Sequence, residues 1–306
     1  MTGSLPWHAI RASGAEGGTA GDLRFPWWSF SKTLLAICAL ALAEEGALDL
    51  DAPLDLPSPA PMPIPMSMPT PRQLIAQTSG LPDYASLPAY RADVAAGRDA
   101  WPADLLLSRA LAQPRLFAPG TGWAYSNVAS LLLRLLLERI AGDIGAQVDA
   151  RIARPLGIDI RLARSRADMA ALWPAGADYD PGWVYHGCFT GTARAAARVL
   201  DGLACGALLP APALAWMRQV TPLGGALPGR PWTEHGYGGG LMAGGLGWLG
   251  SSFGHTGGGP FAGCTVTHLP DLADPVTLAV FAPGPDGADR AEREMARLAA
   301  CFEACR

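Results

Sequence analysis

The longest early apolar run of the chain extends from Leu34 to Ala43, between Lys32 and the two glutamates Glu44 and Glu45. It falls well short of the roughly 20 residues that a helix needs to cross a bilayer. Because the run is apolar on nearly every side, it indicates a helix that is covered all round. The pattern therefore predicts a central buried helix over residues 29–46, and no membrane partner.

Elsewhere the pattern predicts short strands and amphipathic helices. Strands are expected at residues 7–11, 21–25, 238–243, 247–255, 261–269 and 275–283, the last four in glycine-rich, alternating sequence. Helices are expected at residues 128–141, 191–203 and 288–304. Eight prolines between residues 52 and 71 exclude a regular helix or a central strand, so this stretch is predicted to be an extended surface loop.

Strands at both ends of the chain, with helices between them, predict an α/β fold of the α+β type. We expect an antiparallel sheet flanked by N- and C-terminal helices, with an all-helical lobe inserted. The 306 residues are enough for one large domain. Within a single domain over residues 1–306, a sheet-containing lobe is expected at 1–50 and 181–306, and a mainly helical lobe at 51–180.

Composition narrows the function classes. Charged residues make up 16% of the chain and the net charge is -4, without a basic patch, so a nucleic-acid partner is not expected. Residues 1–18 lack the apolar stretch of a secretory signal. The six cysteines show neither metal-ligand spacing nor a disulfide framework. We therefore expect a cytoplasmic protein with reduced cysteines, no metal site and no cofactor.

Lys32 is the single lysine among the 23 lysines and arginines. A buried lysine can lose its proton, whereas an arginine effectively cannot. Ser29 lies three residues before Lys32, so both side chains share one face of the first helical turn. The helix N-terminus also favours an oxyanion at Ser29. The pair is a candidate nucleophile and base, although codon bias could also leave one lysine.

Asn127 is the single asparagine, and it follows Tyr125 just before a leucine-rich helix. A tyrosine near an ammonium can have its phenolate stabilised and shuttle a proton. The amide of Asn127 could orient the lysine. A helix N-cap preceded by a packed aromatic residue is the structural alternative for this pair. A third candidate is the run His255-Thr256-Gly257-Gly258 at the end of a predicted strand, where a backbone N–H of Gly258 could face a carbonyl oxygen. For this run alone, a glycine-rich turn is the structural alternative.

Together, Ser29-x-x-Lys32, Tyr125-x-Asn127 and His255-Thr256-Gly257 resemble the three signature motifs of serine β-lactamases and penicillin-binding proteins. The resemblance is strongest to the class C and esterase-like branch, and it runs from about residue 22 to the C-terminus. Further similar stretches are FPWWSFSKT at 25–33, EEGALDLD at 44–51, RQLIAQTSGLPDY at 72–84, PGTGWAYSN at 119–127, RPLGI at 154–158 and FGHTGGGPFAG at 253–263.

This resemblance implies a β-lactamase/transpeptidase-like fold and a serine hydrolase that forms an acyl-enzyme on an ester, amide or peptide-like small molecule. Ser29 would attack the carbonyl, and Lys32 with Tyr125 would take up and pass on its proton. Asn127 would position Lys32 and the substrate amide. The N–H groups of Ser29 and Gly258 would form the oxyanion hole, and Thr256 and Gly257 would line the substrate-binding strand.

The chain departs from the family in two places. Only 28 residues precede Ser29, so either part of one wall of the sheet is reduced or the chain begins late. His255 stands where penicillin-recognising enzymes usually have a lysine that meets a substrate carboxylate. Since histidine is mostly neutral at pH 7, we expect esters or neutral amides to be preferred to carboxylated substrates.

Other interpretations stay open. Residues 250–254 match the G-x-S-x-G nucleophile elbow around Ser252, but another strand follows where that motif needs a helix. His186 could reach the site. The scaffold could also serve as a non-catalytic ligand sensor, or as an acyltransferase to a small acceptor.

Overall fold

The computed structural model describes residues 4–55 and 68–304 of the chain. Its strands are β1 (Trp7–Arg11), β2 (Glu16–Gly18), β3 (Arg24–Pro26), β4 (Ile160–Leu162), β5 (Phe189–Thr192), β6 (Thr221–Gly224), β7 (Glu234–Tyr237), β8 (Met242–Gly245), β9 (Ser251–Gly258), β10 (Ala262–Leu269) and β11 (Val276–Pro283). Eight of them form one sheet in the order β2-β1-β11-β10-β9-β8-β7-β6, and β3-β5-β4 form a small second sheet. The paired strands are antiparallel throughout.

The helices are α1 (Ser31–Glu44), α2 (Pro71–Ile75), α3 (Pro88–Ala95), α4 (Ala103–Leu111), α5 (Asn127–Ala141), α6 (Ile144–Val148), α7 (Arg154–Leu156), α8 (Arg166–Ala170), α9 (Ala193–Ala204), α10 (Ala211–Met217) and α11 (Gly287–Ala304). A π-helical turn, Asp149–Ala153, joins α6 to α7. Within residues 4–55 and 68–304, no helix is both long and apolar enough to cross a membrane.

The predicted mixed architecture is confirmed, and α1 is buried on nearly every side as expected. Helix α1 packs on α2, α5 and α6. Helix α11 covers one face of the large sheet, and α9 packs on β1, β10 and β11 through the opposite apolar core. This arrangement fixes the start of α1 close to β9. The division into two lobes stays a prediction.

Most of the predicted elements are confirmed, but four predicted ranges are wrong. Of the strand predicted at 238–243, only residues 242–243 belong to a strand, β8, and the rest form the turn after β7, because Gly240 adopts a φ of +73° and packs against α1. The strand predicted at 247–255 begins only at Ser251, after a 3₁₀ turn at 247–249, and runs on to Gly258 as β9. The helix predicted at 191–203 begins only at Ala193, where Thr192 caps it and ends β5. The strand predicted at 21–25 is instead β3, and β2 was not predicted. Most of the proline-rich loop lies outside the described residues.

Candidate active site

Ser29 and Lys32 are positioned by the start of α1. Ser29 lies in a 3₁₀ turn that runs directly into this helix, and the Lys32 Nζ is 3.1 Å from the Ser29 Oγ. The preceding residue, Trp28, has a φ of +46°, which is strained for a residue with a side chain. Edge contacts of the buried Trp28 ring with Tyr179 and Phe261 hold this conformation. Ser29 itself is partly exposed, whereas Lys32 is buried.

Tyr125 approaches the same serine from the segment that leads into α5. Its phenol donates a hydrogen bond of 2.8 Å to the Ser29 Oγ, and the Lys32 Nζ lies 4.9 Å from the centre of its ring. Ser126 caps α5 by accepting from the backbone of Ala129, so the cap falls one residue before Asn127. The three residues predicted to carry proton transfer therefore meet at one oxygen atom.

Burial sets the protonation states of this group. It lowers the pKa of Lys32 to about 7, against the opposing charge of Asp83, so a large share of the amine is neutral at pH 7. Burial raises the pKa of Tyr125, although its hydrogen bond to Ser29 opposes this. The phenol of Tyr125 is thus a neutral donor in the free protein. Lys32 is the group able to act as the base.

Asn127 and Asp83 form a hydrogen-bonded pair. The Asn127 amide nitrogen donates to both carboxylate oxygens of Asp83, at 3.1 and 3.2 Å, and its backbone N–H donates to the same carboxylate. The resemblance implied that Asn127 positions Lys32, and that role stays a prediction. The structure adds Asp83 as the acidic group whose charge acts on Lys32. Sequence reasoning did not single out Asp83, although it lies in one of the family-like stretches.

The third motif forms a strand edge next to the serine. Strand β8 pairs with β9 only from Ser251 to Gly254, so residues 255–258 extend beyond the end of β8. Gly257 lies against the serine: a Cβ atom there would come within 2.8 Å of the Ser29 backbone nitrogen. Only glycine permits this close approach. The glycine therefore allows close approach between β9 and the turn that holds Ser29.

The direction of the backbone N–H groups along this edge follows from strand periodicity. The Thr256 N–H points to the sulfur of Met242, the first residue of β8, at 3.4 Å. Groups two residues apart on a strand point the same way. The N–H of Gly258 is thus directed to the unpaired edge, and Gly258 is exposed. Together with the Ser29 N–H, it can serve a developing oxyanion.

His255 is buried and neutral. Its Nδ1 lies 2.7 Å from the Thr256 carbonyl oxygen, which requires the proton on Nδ1, and its Nε2 then accepts from the Tyr237 phenol at 3.2 Å. Burial, assisted by the charge of Lys32, lowers the pKa of His255 to about 3. This position therefore carries no positive charge at neutral pH.

The Thr256 side chain faces away from the serine. It donates to Glu292 of α11, on the opposite side of the sheet, and Glu292 is fully buried and also paired with Arg230. Thr256 can therefore contact a substrate only through its backbone. The resemblance implied that Thr256 lines the substrate-binding strand, and its side chain takes no part in that lining. Sequence reasoning missed Glu292 because its partners come from two distant segments.

Two remaining candidates are also placed. His186 lies 3.4 Å from the Lys32 Nζ, so it does reach the site. Ser252 lies inside β9 and donates to the Gly244 carbonyl, not at a strand-to-helix turn. Among the described residues, no group of three or more histidine, cysteine, aspartate or glutamate side chains could hold a metal ion.

Comparisons with known proteins identify relatives in sequence and in fold. Esterase EstB of Burkholderia gladioli is 36% identical over 164 residues, which cover 48% of this chain. The match spans only 42% of the esterase's own length. A D-stereospecific amidohydrolase from Streptomyces sp. has a similar crystal structure, with a TM-score of 0.78 and 25% identity over 98% of this chain and 94% of that one.

A penicillin binding protein from Bacillus halodurans shares the fold, with a TM-score of 0.71 and 20% identity over 98% of this chain and 96% of that one. The family described as Beta-lactamase matches residues 7–302, nearly the whole length and all three motifs. The chain belongs to the beta-lactamase family, and its fold is the β-lactamase/transpeptidase-like fold.

Proposed function

We propose that this protein is a serine hydrolase that cleaves an ester or amide through an acyl-enzyme on Ser29. The observation that carries the proposal is the convergence of Lys32 and Tyr125 on the Ser29 Oγ, at 3.1 and 2.8 Å. A buried amine with a pKa of about 7 can take a proton from a hydroxyl at neutral pH. A scaffold used only for ligand sensing would not need this proton-transfer group.

In the acylation step, the neutral amine of Lys32 takes the Ser29 proton as the Oγ bonds to the substrate carbonyl carbon. The N–H groups of Ser29 and Gly258 stabilise the negative oxygen of the tetrahedral intermediate. When the intermediate collapses, the alcohol or amine leaves with a proton from the Tyr125 phenol. The Lys32 ammonium then returns a proton to Tyr125, which restores both groups.

Deacylation uses the same groups with water as the nucleophile. A water molecule gives its proton to the Tyr125 and Lys32 pair while its oxygen bonds to the acyl carbon. Collapse of this second intermediate releases the acid and returns a proton to the Ser29 Oγ. A small alcohol or amine could take the place of water, and product analysis with competing acceptors separates that acyl transfer from hydrolysis.

The relatives support both kinds of scissile bond, since one is named an esterase and another an amidohydrolase. We propose a small ester, amide or peptide-like substrate. The neutral His255 favours substrates without a carboxylate at the position where other members of the family place a lysine.

The first test uses a fluorophosphonate probe and a p-nitrophenyl ester, with intact mass recorded for the native protein and for Ser29→Ala. We expect a single adduct and ester turnover in the native protein, both lost in Ser29→Ala. Ser252→Ala is the matched control and should retain both, because Ser252 is hydrogen-bonded inside β9. Absence of any adduct on the native protein would contradict the proposal, and an adduct that persists in Ser29→Ala would move the nucleophile elsewhere.

His255→Lys is expected to shift substrate preference towards carboxylated esters. A lysine there supplies a charged hydrogen-bond donor, for which we expect roughly a tenfold gain in kcat/KM for a carboxylated ester relative to a neutral ester of equal length. The measurement is the ratio of the two kcat/KM values, with the uncharged His255→Gln as control. An unchanged ratio in His255→Lys would show that His255 does not set this preference.

A further inference from the structure

We propose that His186 is a positioning residue that fixes the amine of Lys32 relative to the backbone just before Ser29. The proposal rests on the proposed function, because it concerns how the base of that reaction is held. His186 lies in the loop before β5, between Tyr185 and Gly187. It is separated from Lys32 by 154 residues in the chain, so only the fold brings the two together.

The imidazole contacts two parts of the nucleophile turn. Its Nε2 is 3.3 Å from the carbonyl oxygen of Trp28, and both ring nitrogens are 3.4 Å from the Lys32 Nζ. A carbonyl oxygen can only accept, so Nε2 carries the ring proton and donates it to Trp28. Nδ1 then keeps a free lone pair, and it lies 3.4 Å from the Lys32 amine, within reach as an acceptor. One neutral ring thus links the base to the strained residue that precedes the nucleophile.

The site keeps this ring neutral and in place. His186 is 4% exposed, and both burial and the charge of Lys32 lower its pKa well below the ordinary value. The preceding residue, Tyr185, is anchored at two points: Arg134 of α5 donates to its carbonyl, and its phenol donates to the Trp101 carbonyl. A neutral, anchored imidazole can orient the lysine without competing with it for the serine proton.

This arrangement gives Lys32 three neighbours with different tasks. The Ser29 Oγ is the proton source, the Tyr125 ring lies against the amine, and His186 lies 3.4 Å from the amine. A flexible lysine side chain without the third contact would sample positions in which the amine no longer faces the serine. Misplacing a reacting group by about 1 Å can cost 10²-fold in rate.

Two substitutions of His186 separate its two contacts. His186→Phe preserves an aromatic ring in the core and removes both hydrogen bonds. His186→Asn places an amide near the Nδ1 position. His268→Phe, which removes a partly buried histidine that contacts Thr277 on the sheet, is the control for general loss of stability.

We expect His186→Phe to lower kcat, and the rate of fluorophosphonate labelling of Ser29, by about 10- to 100-fold, with a smaller change in KM. His186→Asn should recover part of that loss because it keeps an acceptor for Lys32. The acidic limb of the labelling rate against pH should move to lower pH in His186→Phe, since the ammonium loses an acceptor. The other charged or titratable groups near this pair, Asp83, Tyr125, His255 and Arg134, are unchanged in every variant.

A purely structural role predicts a different result. His186→Phe would then lower the melting temperature as His268→Phe does. The labelling rate per folded molecule, and the acidic limb of that rate against pH, would stay unchanged. This result would overturn the proposal. Equal losses in His186→Phe and His186→Asn would also contradict it, because the acceptor near Nδ1 would have no effect. If the native protein itself neither reacts with the probe nor turns over esters, the proposed function fails instead.

Discussion

Replacing Lys32 by methionine is expected to lower ester kcat/KM by about 10²–10⁴-fold, the range typical for loss of a general base. Methionine is close to lysine in length and apolar, so it fits a position that is 3% exposed. It leaves Ser29 and Tyr125 in place but removes the amine next to Ser29 whose pKa, at about 7, suits proton uptake from a hydroxyl. The measurement is steady-state kinetics with a p-nitrophenyl ester, beside intact-mass labelling of Ser29.

The pH profile of the native protein gives a second measurement of the same group. Acylation needs the neutral amine, so the acylation rate should rise with pH through about 7 and then level off. Lys32→Arg keeps the positive charge without a titratable base and should lack this rise. Full activity in Lys32→Met, or a native profile that is flat between pH 5 and 9, would exclude Lys32 as the base.

Lys32→Met should also stabilise the folded protein. The unfolded chain holds the lysine proton up to about pH 10.5, whereas the folded protein releases it near 7. The unfolded state therefore binds more protons between these values, and the contribution of Lys32 to stability falls as the pH falls from 10.5 to 7. Lys32→Met removes this penalty, on the order of a few kcal/mol at pH 7, which thermal unfolding of the two proteins measures.

Glu292→Ala is expected to destabilise the protein by about 3 kcal/mol, which is the lower end of the range for removing one partner of a buried ion pair. Glu292 is fully buried between α11 and the sheet, where it accepts from Arg230 and from Thr256. Its removal leaves the Arg230 guanidinium with the more distant Asp289, at 3.7 Å, and leaves Thr256 without this acceptor. Denaturant unfolding of the native protein and the variant measures the difference.

Glu294→Ala is the matched control on the same helix. Glu294 pairs with Arg297, whose side chain is 56% exposed, and such surface pairs contribute about 1 kcal/mol or less. Equal effects of the two substitutions would contradict a structural role for the buried pair. Glu292 does not contact Ser29, but it holds Thr256, which directly precedes Gly257 and Gly258 on β9. Glu292→Ala should therefore also slow the labelling of Ser29, whereas Glu294→Ala should leave the labelling rate unchanged.

Much of the scaffold could be predicted from sequence pattern because its elements have strong local signals. The apolar run of α1, the alternating strands β10 and β11, and the amphipathic α11 are each confirmed close to their predicted bounds. The turn around Gly240 was mistaken for a strand because its glycines are compatible with either. Its φ of +73° depends on packing against α1, which the local sequence does not contain.

The sequence by itself determined the family and the candidate chemistry. A single lysine three residues after a serine, and the ordered motifs at Tyr125 and His255, are local patterns that can be read without coordinates. Spacing on a helix is fixed by backbone geometry, so Ser29 and Lys32 could be placed together in advance.

Only the tertiary structure decided the neutral phenol of Tyr125 and the supporting contacts. A releasable proton on Lys32 and a neutral His255 were expected from the sequence, but the size of both pKa shifts arises from burial, which is a property of the packed chain. His186, Asp83 and Glu292 act across more than 35 residues of sequence, where no spacing rule applies. Electrostatic interactions depend on distance and desolvation in space, so these roles could not be predicted from the order of residues.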